Sequence, residues 1–146
     1  MNYFKKLLGD RLYLSPKGTS DEEILKFTEW MNDFQVTDYI GRTAQIVTLT
    51  EEKEFLEKND KNNNSKTFNI VELKSNKLIG TIGLHRFNYT ERSAVLGIFI
   101  GDSDFRSNGY GTEAIRLLLE YGFKYLNLHS IRLDLLSINE RAHKCY

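Results

Sequence analysis

Cysteine and proline are almost absent from this chain, and neither sign of charge is in excess. The 146 residues contain one cysteine, Cys145, and one proline. A single thiol cannot form an internal disulfide, which is typical of the reducing cytoplasm, and we expect that location. Lysine and arginine number 20 and so do aspartate and glutamate, so no basic surface argues for binding nucleic acid.

Long hydrophobic runs are also lacking. The apolar stretches are far shorter than the ~20 residues of a membrane-spanning helix, so we expect no membrane association. The N-terminus has no apolar signal-peptide core. Three scattered histidines (His85, His129 and His143) do not predict a metal site. With 40% hydrophobic residues, the length fits a single domain over residues 1–146.

The clearest pattern lies between Ala94 and Leu126. An apolar strand and a turn are followed by a helix predicted from Thr112 to about Leu126. The first-turn N–H groups of a helix lack partners and carry the positive end of its dipole, so they suit phosphate. The loop before the helix has small residues that allow close approach and a guanidinium that can grip phosphate. It comprises Arg106, Ser107, Asn108, Gly109, Tyr110 and Gly111.

The loop alone is a weak signal, and its alternative is a core helix with glycines only for turn geometry. The spacing Arg-x-x-Gly-x-Gly matches neither the P-loop nor the dinucleotide motif. Context favours an anion site, because the following helix is strongly patterned. Its polar residues recur every three or four positions, and the rest are apolar, so the helix packs on a sheet. These polar residues are Glu113, Arg116, Glu120, Lys124 and Asn127.

The remaining segments predict two more helices and a sheet of class α/β (α+β). Residues 1–9 are expected to be a lead-in, and residues 11–15 a short strand. Ser20 opens a helix with a capping box, with Trp30 at the helix edge, and Thr50 caps a second helix. Strands at 67–73, 78–87 and 94–100 form an antiparallel meander. A strand at 131–137 then lies parallel to the last of these.

These features together resemble the GNAT superfamily of N-acetyltransferases, most closely its ribosomal-protein-alanine and spermidine acetyltransferase branch. Arg-x-x-Gly-x-Gly-Thr-Glu-Ala at 106–114 and Asn-x-x-Ala-x-x-x-Tyr at 139–146 carry the resemblance. It implies the GNAT fold, a mostly antiparallel mixed sheet with a splayed parallel strand pair around acetyl-CoA. Two further strands normally follow the position of Tyr146. We therefore expect a C-terminally incomplete domain, or a homodimer that covers the open strand edge.

The resemblance implies acetyl-CoA as co-substrate, no metal, and a primary amine as acceptor: a small amine, a polyamine or a protein N-terminus. It assigns the backbone of Phe99, Ile100 and Gly101 to the pantetheine arm. It assigns the N–H groups of residues 106 to 112, the last being Thr112, to the pyrophosphate. Asn139 falls on a residue that binds the cofactor arm, and Tyr146 on one that protonates the thiolate. The amine attacks the thioester directly, and backbone N–H groups stabilise the oxyanion.

The general base is not predicted. Val95 stands where many relatives carry a glutamate, so the proton must go elsewhere, for example through water. Glu91 is better explained as a solvated turn residue. His85 could face the acceptor cleft, although a strand histidine is more often half-exposed at the surface. The alternative function is therefore a catalytically silent sensor or regulatory module that binds acyl-CoA.

Overall fold

In the described part of the chain, one sheet carries helices on both faces. The computed structural model describes residues 3–37, 46–60 and 64–133. The strands are β1 (Leu7–Leu8), β2 (Leu12–Pro16), β3 (Ser65–Glu72), β4 (Lys77–Asn88), β5 (Ser93–Ile100) and β6 (Ser130–Leu133). The helices are α1 (Asp21–Met31), α2 (Phe34–Thr37), α3 (Leu49–Asp60) and α4 (Tyr110–Lys124), with a 3-10 turn at Ser103–Phe105.

The strands lie in the sheet in chain order. Neighbouring strands are antiparallel except β5 and β6, which are parallel and joined through α4. The predicted meander and the predicted parallel pair are both confirmed. Within the described residues, β6 pairs only with Ser93 to Leu96. The second half of β5 therefore has no strand beside it on that edge, as far as these residues extend.

Alternating side chains divide the interior into two cores. The core under α4 contains Leu84, Leu96 and Leu118, each at most 1% exposed. The core under α1 and α3 contains Trp30, which the sequence analysis placed at a helix edge. That placement is wrong: Trp30 is 6% exposed, and its ring centroid lies 6.0 Å from that of Phe99 in an edge-to-face contact. The indole is buried because the end of β5 lies directly beneath it.

A β-bulge in β4 shapes the end of β5. The register between β3 and β4 shifts after Ile70, leaving Ile79 as the extra residue. Ile79 and Ile82 share the α4 core, whereas a regular strand would put residues three apart on opposite faces. The Ile79 carbonyl accepts hydrogen bonds from the N–H groups of Gly101 at 2.9 Å and Asp102 at 3.2 Å. The bulge thus ends β5 and directs the chain into the loop before α4.

Local signals placed most helix starts to within two residues. The Ser20 cap is confirmed, because its Oγ accepts a hydrogen bond from the N–H of Glu23 at 3.3 Å. For α3 the cap is Thr48 instead of Thr50, because the Thr48 Oγ1 is the acceptor for the Glu51 N–H at 3.1 Å. Both are side chains three residues before the donor, which is the usual capping distance.

Two other predicted boundaries are wrong. The expected lead-in contains a short strand, because Leu7 and Leu8 pair with β2. The long helix begins at Tyr110, two residues before the predicted start at Thr112. Gly109 ends the loop with φ = 84°, a left-handed conformation that glycine adopts without strain. Tyr110 and the residue after it therefore belong to the first helical turn.

Substituting Gly101→Ala tests how closely β5 packs against α1. The added Cβ would lie 2.1 Å from Cδ2 of Trp30, and neighbouring aromatic rings hold that indole in place. We expect a loss of about 1–3 kcal/mol in the free energy of unfolding, measured in urea. The control is Gly97→Ala within β5, four residues before Gly101, whose Cβ would meet His85 at an ordinary 3.7 Å. Equal stability of the two variants would contradict this packing.

Candidate functional site

The N-terminus of α4 has the features of an anion site. Gly109 is the N-cap residue, and no side chain caps the helix. The N–H groups of Tyr110 and Gly111 therefore have no acceptor inside the helix, and they carry the positive end of its dipole. Ser107, Asn108 and Gly109 are exposed, so the turn is open to solvent. A phosphate bound here would satisfy the unpaired amides.

Arg11 and Glu113 attach this turn to β2. The Arg11 Nε donates to Glu113 Oε1 at 3.1 Å, and the backbone N–H groups of Arg11 and Leu12 donate to Oε2 at 2.9 and 3.3 Å. The Arg11 Nη1 donates to the Asn108 carbonyl at 2.8 Å. The guanidinium also lies 4.3 Å from the centroid of the Tyr110 ring. These contacts determine where the first turn of α4 sits relative to the sheet.

The Glu113 carboxylate is charged in this setting. Burial favours a higher pKa, but the hydrogen bonds from Arg11 and from the Leu12 N–H outweigh it and hold the pKa of Glu113 below its usual value. The sequence analysis placed Glu113 only on the polar face of the helix and missed its contact with Arg11. The available signal was an acid in the first turn, where the helix dipole favours negative charge.

The Tyr110 side chain provides a second attachment, to β3. Its hydroxyl donates to Glu72 Oε2 at 2.8 Å, and this carboxylate raises the pKa of Tyr110. The ring also packs edge-to-face on Phe105, with centroids 5.2 Å apart. The side chain is therefore occupied within the protein, and what Tyr110 offers a ligand is its backbone N–H.

The Arg106 guanidinium, which was predicted to bind phosphate, contacts backbone carbonyls at the end of β5. Its Nε donates to the Ile100 carbonyl at 2.9 Å and its Nη2 to the Gly101 carbonyl at 2.8 Å. The backbone N–H of Arg106 donates to the Ser103 carbonyl at 3.3 Å. The guanidinium thus binds the end of β5, because the 3-10 turn folds it back over that strand. A role of Arg106 in holding phosphate stays a prediction.

The rest of the loop is held in its bend by its backbone conformation and by side-chain contacts. Ser107 has φ = 61°, in the left-handed region. The Asn108 Nδ2 donates to the Asp104 carbonyl at 3.1 Å. Nearby, Asp102 forms an ion pair with Lys77 at 2.8 Å. Burial favours a higher pKa for Asp102, but the hydrogen bond from Lys77 outweighs it and lowers that pKa. These contacts stabilise the bend that leads into α4.

The end of β5 presents some of its backbone to an edge that has no neighbouring strand in the part of the chain that the structure describes. The Gly101 N–H points towards β4, since it bonds to Ile79. Backbone groups of successive strand residues point to opposite edges. Ile98 and Ile100 therefore direct theirs away from β4, whereas Phe99, two residues before Gly101, directs its own towards β4. Of the three residues predicted to pair with pantetheine, Ile100 directs its backbone to this edge, as does Ile98, which was not among them.

Several of the predicted groups lie near the C-terminus of the chain. Asn139 and Tyr146 lie outside the described residues, and so do His143 and Cys145. Within residues 3–37, 46–60 and 64–133, no cluster of His, Cys, Asp and Glu could hold a metal ion. The helices in those segments are too short or too polar to cross a membrane.

Comparison with known proteins places these features in a family. The chain matches the acetyltransferase (GNAT) domain over residues 11–146. It is 30% identical over 142 residues to the probable N-acetyltransferase YjcK of Bacillus subtilis, covering 91% of this chain and 76% of YjcK. It is 32% identical over 103 residues to the uncharacterized N-acetyltransferase YnaD of that organism, covering 70% of this chain and 58% of YnaD. The chain thus spans little more than half of YnaD.

The fold agrees with this match. The crystal structure of spermidine N-acetyltransferase from Vibrio cholerae, in complex with CoA and spermine, has a TM-score of 0.81 at 25% identity. The alignment covers 94% of this chain and 79% of that one. The parallel pair formed by β5 and β6 is a feature that the resemblance to GNAT proteins led us to expect. The chain belongs to the acetyltransferase (GNAT) domain family.

Proposed function

We propose that this chain binds acetyl-CoA and transfers the acetyl group to a primary amine. The observation that carries the proposal is the start of α4, where Gly109 leaves the first-turn amides without a side-chain cap. The second half of β5 lies next to it in the chain, and there, within the described residues, no strand pairs with the edge away from β4, so its backbone would be offered to an extended ligand. Family membership and the CoA named in a similar solved structure support this choice of donor.

The two halves of the donor would use different parts of the site. The N–H groups from Gly109 to Thr112 would hold the pyrophosphate, since a helix N-terminus favours phosphate charge. The pantetheine amides would pair with Ile98 and Ile100 at the edge of β5, as an added strand pairs with a sheet. Arg106 would support this edge by holding the Ile100 carbonyl in place.

The chemistry proposed is a direct attack without an acyl-enzyme. The amine nitrogen forms a bond to the thioester carbonyl, the C–S bond breaks, and CoA leaves as a thiolate. Backbone N–H groups at the β5 edge would stabilise the oxyanion. Tyr146 would protonate the thiolate, a role suited to a phenol, and Asn139 would bind the cofactor arm.

The acceptor is proposed only as a class: a small amine, a polyamine or a protein N-terminus. A relative from Vibrio cholerae is named spermidine N(1)-acetyltransferase, which supports including polyamines. The silent acyl-CoA-binding module is not favoured, because the curated relatives are named as N-acetyltransferases. A cytoplasmic location is part of the proposal, supported by the single cysteine.

Replacing Gly111 by alanine tests the phosphate site without straining the backbone. Among the described glycines, only Gly109 has a positive φ, so Gly111 can become alanine, a better helix former. The new methyl group would occupy the approach to the first-turn amides. We expect CoA affinity, measured by calorimetry, to fall roughly tenfold or more, which corresponds to about 1.4 kcal/mol. Thermal stability should stay equal or rise.

The matched control for this variant is Lys124→Ala, at the exposed far end of the same helix. It should bind CoA as tightly as the unchanged chain does. If Gly111→Ala also binds CoA normally, the assignment of pyrophosphate to this helix start is wrong.

Thiol release tests transfer directly. Acetyl-CoA is mixed with the full chain and one of three acceptors: spermidine, ethanolamine or a tripeptide that begins with alanine. We expect CoA to appear only when protein and an accepted amine are both present, and the acetylated amine to be identified by mass. Tight binding of acetyl-CoA with no turnover on any acceptor would instead support the silent module.

The homodimer predicted from the open strand edge is also part of the proposal. Its support is that β6 lies at the end of the sheet in the described residues, where an unpaired edge can bind another strand. Light scattering of the purified chain should give about twice the protomer mass of 17.0 kDa. A mass of one protomer at micromolar concentration would contradict this pairing.

A further inference from the structure

His85 lies among small residues on one face of the sheet. In the register of β4 with β5, His85 is opposite Val95 and Gly83 is opposite Gly97. Ser65 of β3 is opposite His85 on its other side. Cross-strand partners, and residues two apart in one strand, share a face. These five residues therefore form one continuous patch, which we call the glycine patch.

The imidazole lies over the two glycines. A Cβ at Gly83 would be 3.1 Å from Nε2 of His85, and one at Gly97 would be 3.7 Å from its Cδ2. A side chain at Gly83 would therefore displace the ring, whereas hydrogen atoms at both positions let it lie flat against the sheet. The ring is half-buried, so part of it remains accessible from the patch.

The two ring nitrogens have different surroundings. Nδ1 lies 3.0 Å from the Ser65 hydroxyl. Within the described segments, no hydrogen bond is formed to Nε2. A hydroxyl can accept from Nδ1–H, and in that tautomer Nε2 carries the lone pair that takes up a proton. In that tautomer Ser65 holds the ring with its basic nitrogen over the glycines.

The charge around the ring favours its neutral form. Burial lowers the pKa of His85, and the positive charges of Lys17 and Arg86 lower it further. These two are the charged side chains that act on the ring among the described residues. A histidine that is neutral near pH 7 can accept a proton, which is the requirement for a general base.

The glycine patch is close to the proposed donor site. Gly97 lies one residue before Ile98, whose backbone faces the edge of β5 that has no neighbouring strand among residues 64–133. Strand residues rise only about 3.3 Å each, so a thioester paired with this edge would lie within a few residues of the ring. Phe99 is on the same face as Gly97, and its contact with Trp30 bounds the patch on the side of α1.

We propose that His85 is the general base that takes the proton from the attacking amine, an inference that rests on the proposed function. When a neutral amine attacks, the N–C bond forms, the C–S bond breaks, and the amine proton passes to Nε2 of His85. The thiolate takes a proton from the proposed acid Tyr146, and solvent then exchanges protons with both side chains. The valine opposite, Val95, cannot ionise, so His85 supplies the base on this pair of strands.

The test compares His85→Gln with His129→Gln. His129 is exposed and lies before β6, so it is a matched control for the same chemical change. With the best acceptor from the three-amine assay, we expect kcat of His85→Gln to fall about 10²–10⁴-fold, with Kd for CoA unchanged. His129→Gln should behave as the unchanged chain does.

The pH profile separates a base from a structural role. The active form is neutral imidazole, so kcat/KM of the unchanged chain should fall in acid, with an inflection below the usual histidine value of about 6.5. His85→Gln should lack that inflection. His85→Ala leaves a space over the glycines, and added imidazole should restore part of its rate. Such rescue is not expected if the ring only fills space.

Three other results of these assays would contradict the assignment of His85 as the base. If His85→Gln keeps a rate within about threefold and the same pH profile, His85 is not the base. If it loses CoA binding together with activity, its role is structural, and the inference is again wrong. If the unchanged chain acetylates none of the three amines, the proposed function fails first, and the inference fails with it.

Discussion

The contact between Arg11 and Glu113 is the constraint on which the candidate site depends. It joins residues 102 positions apart in the chain and connects β2 to the first turn of α4. Arg11 is partly exposed, with 45% of its side chain accessible, so the pair adds little to stability, under about 1 kcal/mol. Its importance is geometric, because the same guanidinium also binds the carbonyl of Asn108. The amides proposed to hold pyrophosphate therefore have a defined position relative to the sheet.

The sheet separates the two parts of the proposed reaction. Donor phosphates would lie at the start of α4, whose helix covers one face, and the glycine patch with His85 lies on the opposite face. The end of β5 connects them, because its backbone borders both. The bulge at Ile79 determines how that strand ends, and Arg106 holds its last carbonyls. A change at this strand end would thus affect donor binding and acceptor chemistry together.

Much of the fold follows from local patterns. The capping box at Ser20, the alternating strands of the meander and the apolar face of α4 are each encoded within a few residues. Errors occurred where two local signals compete, as with Thr48 and Thr50, or where a partner is distant, as with the strand at Leu7. Phosphate binding was inferred from Gly109 and its neighbours, whereas the contact of Arg106 with the end of β5 had no local signal in the sequence.

The sequence by itself determined the family, the antiparallel meander with its parallel last strand, and the glycine-rich entry into α4. These depend on backbone sterics and on hydrophobic periodicity, which act between near neighbours. Only the tertiary structure decided that Arg11 meets Glu113, that Arg106 binds the end of β5, and that His85 lies over two glycines opposite Val95. Those contacts depend on strand register and on one bulge, and both result from packing of the whole sheet against its helices.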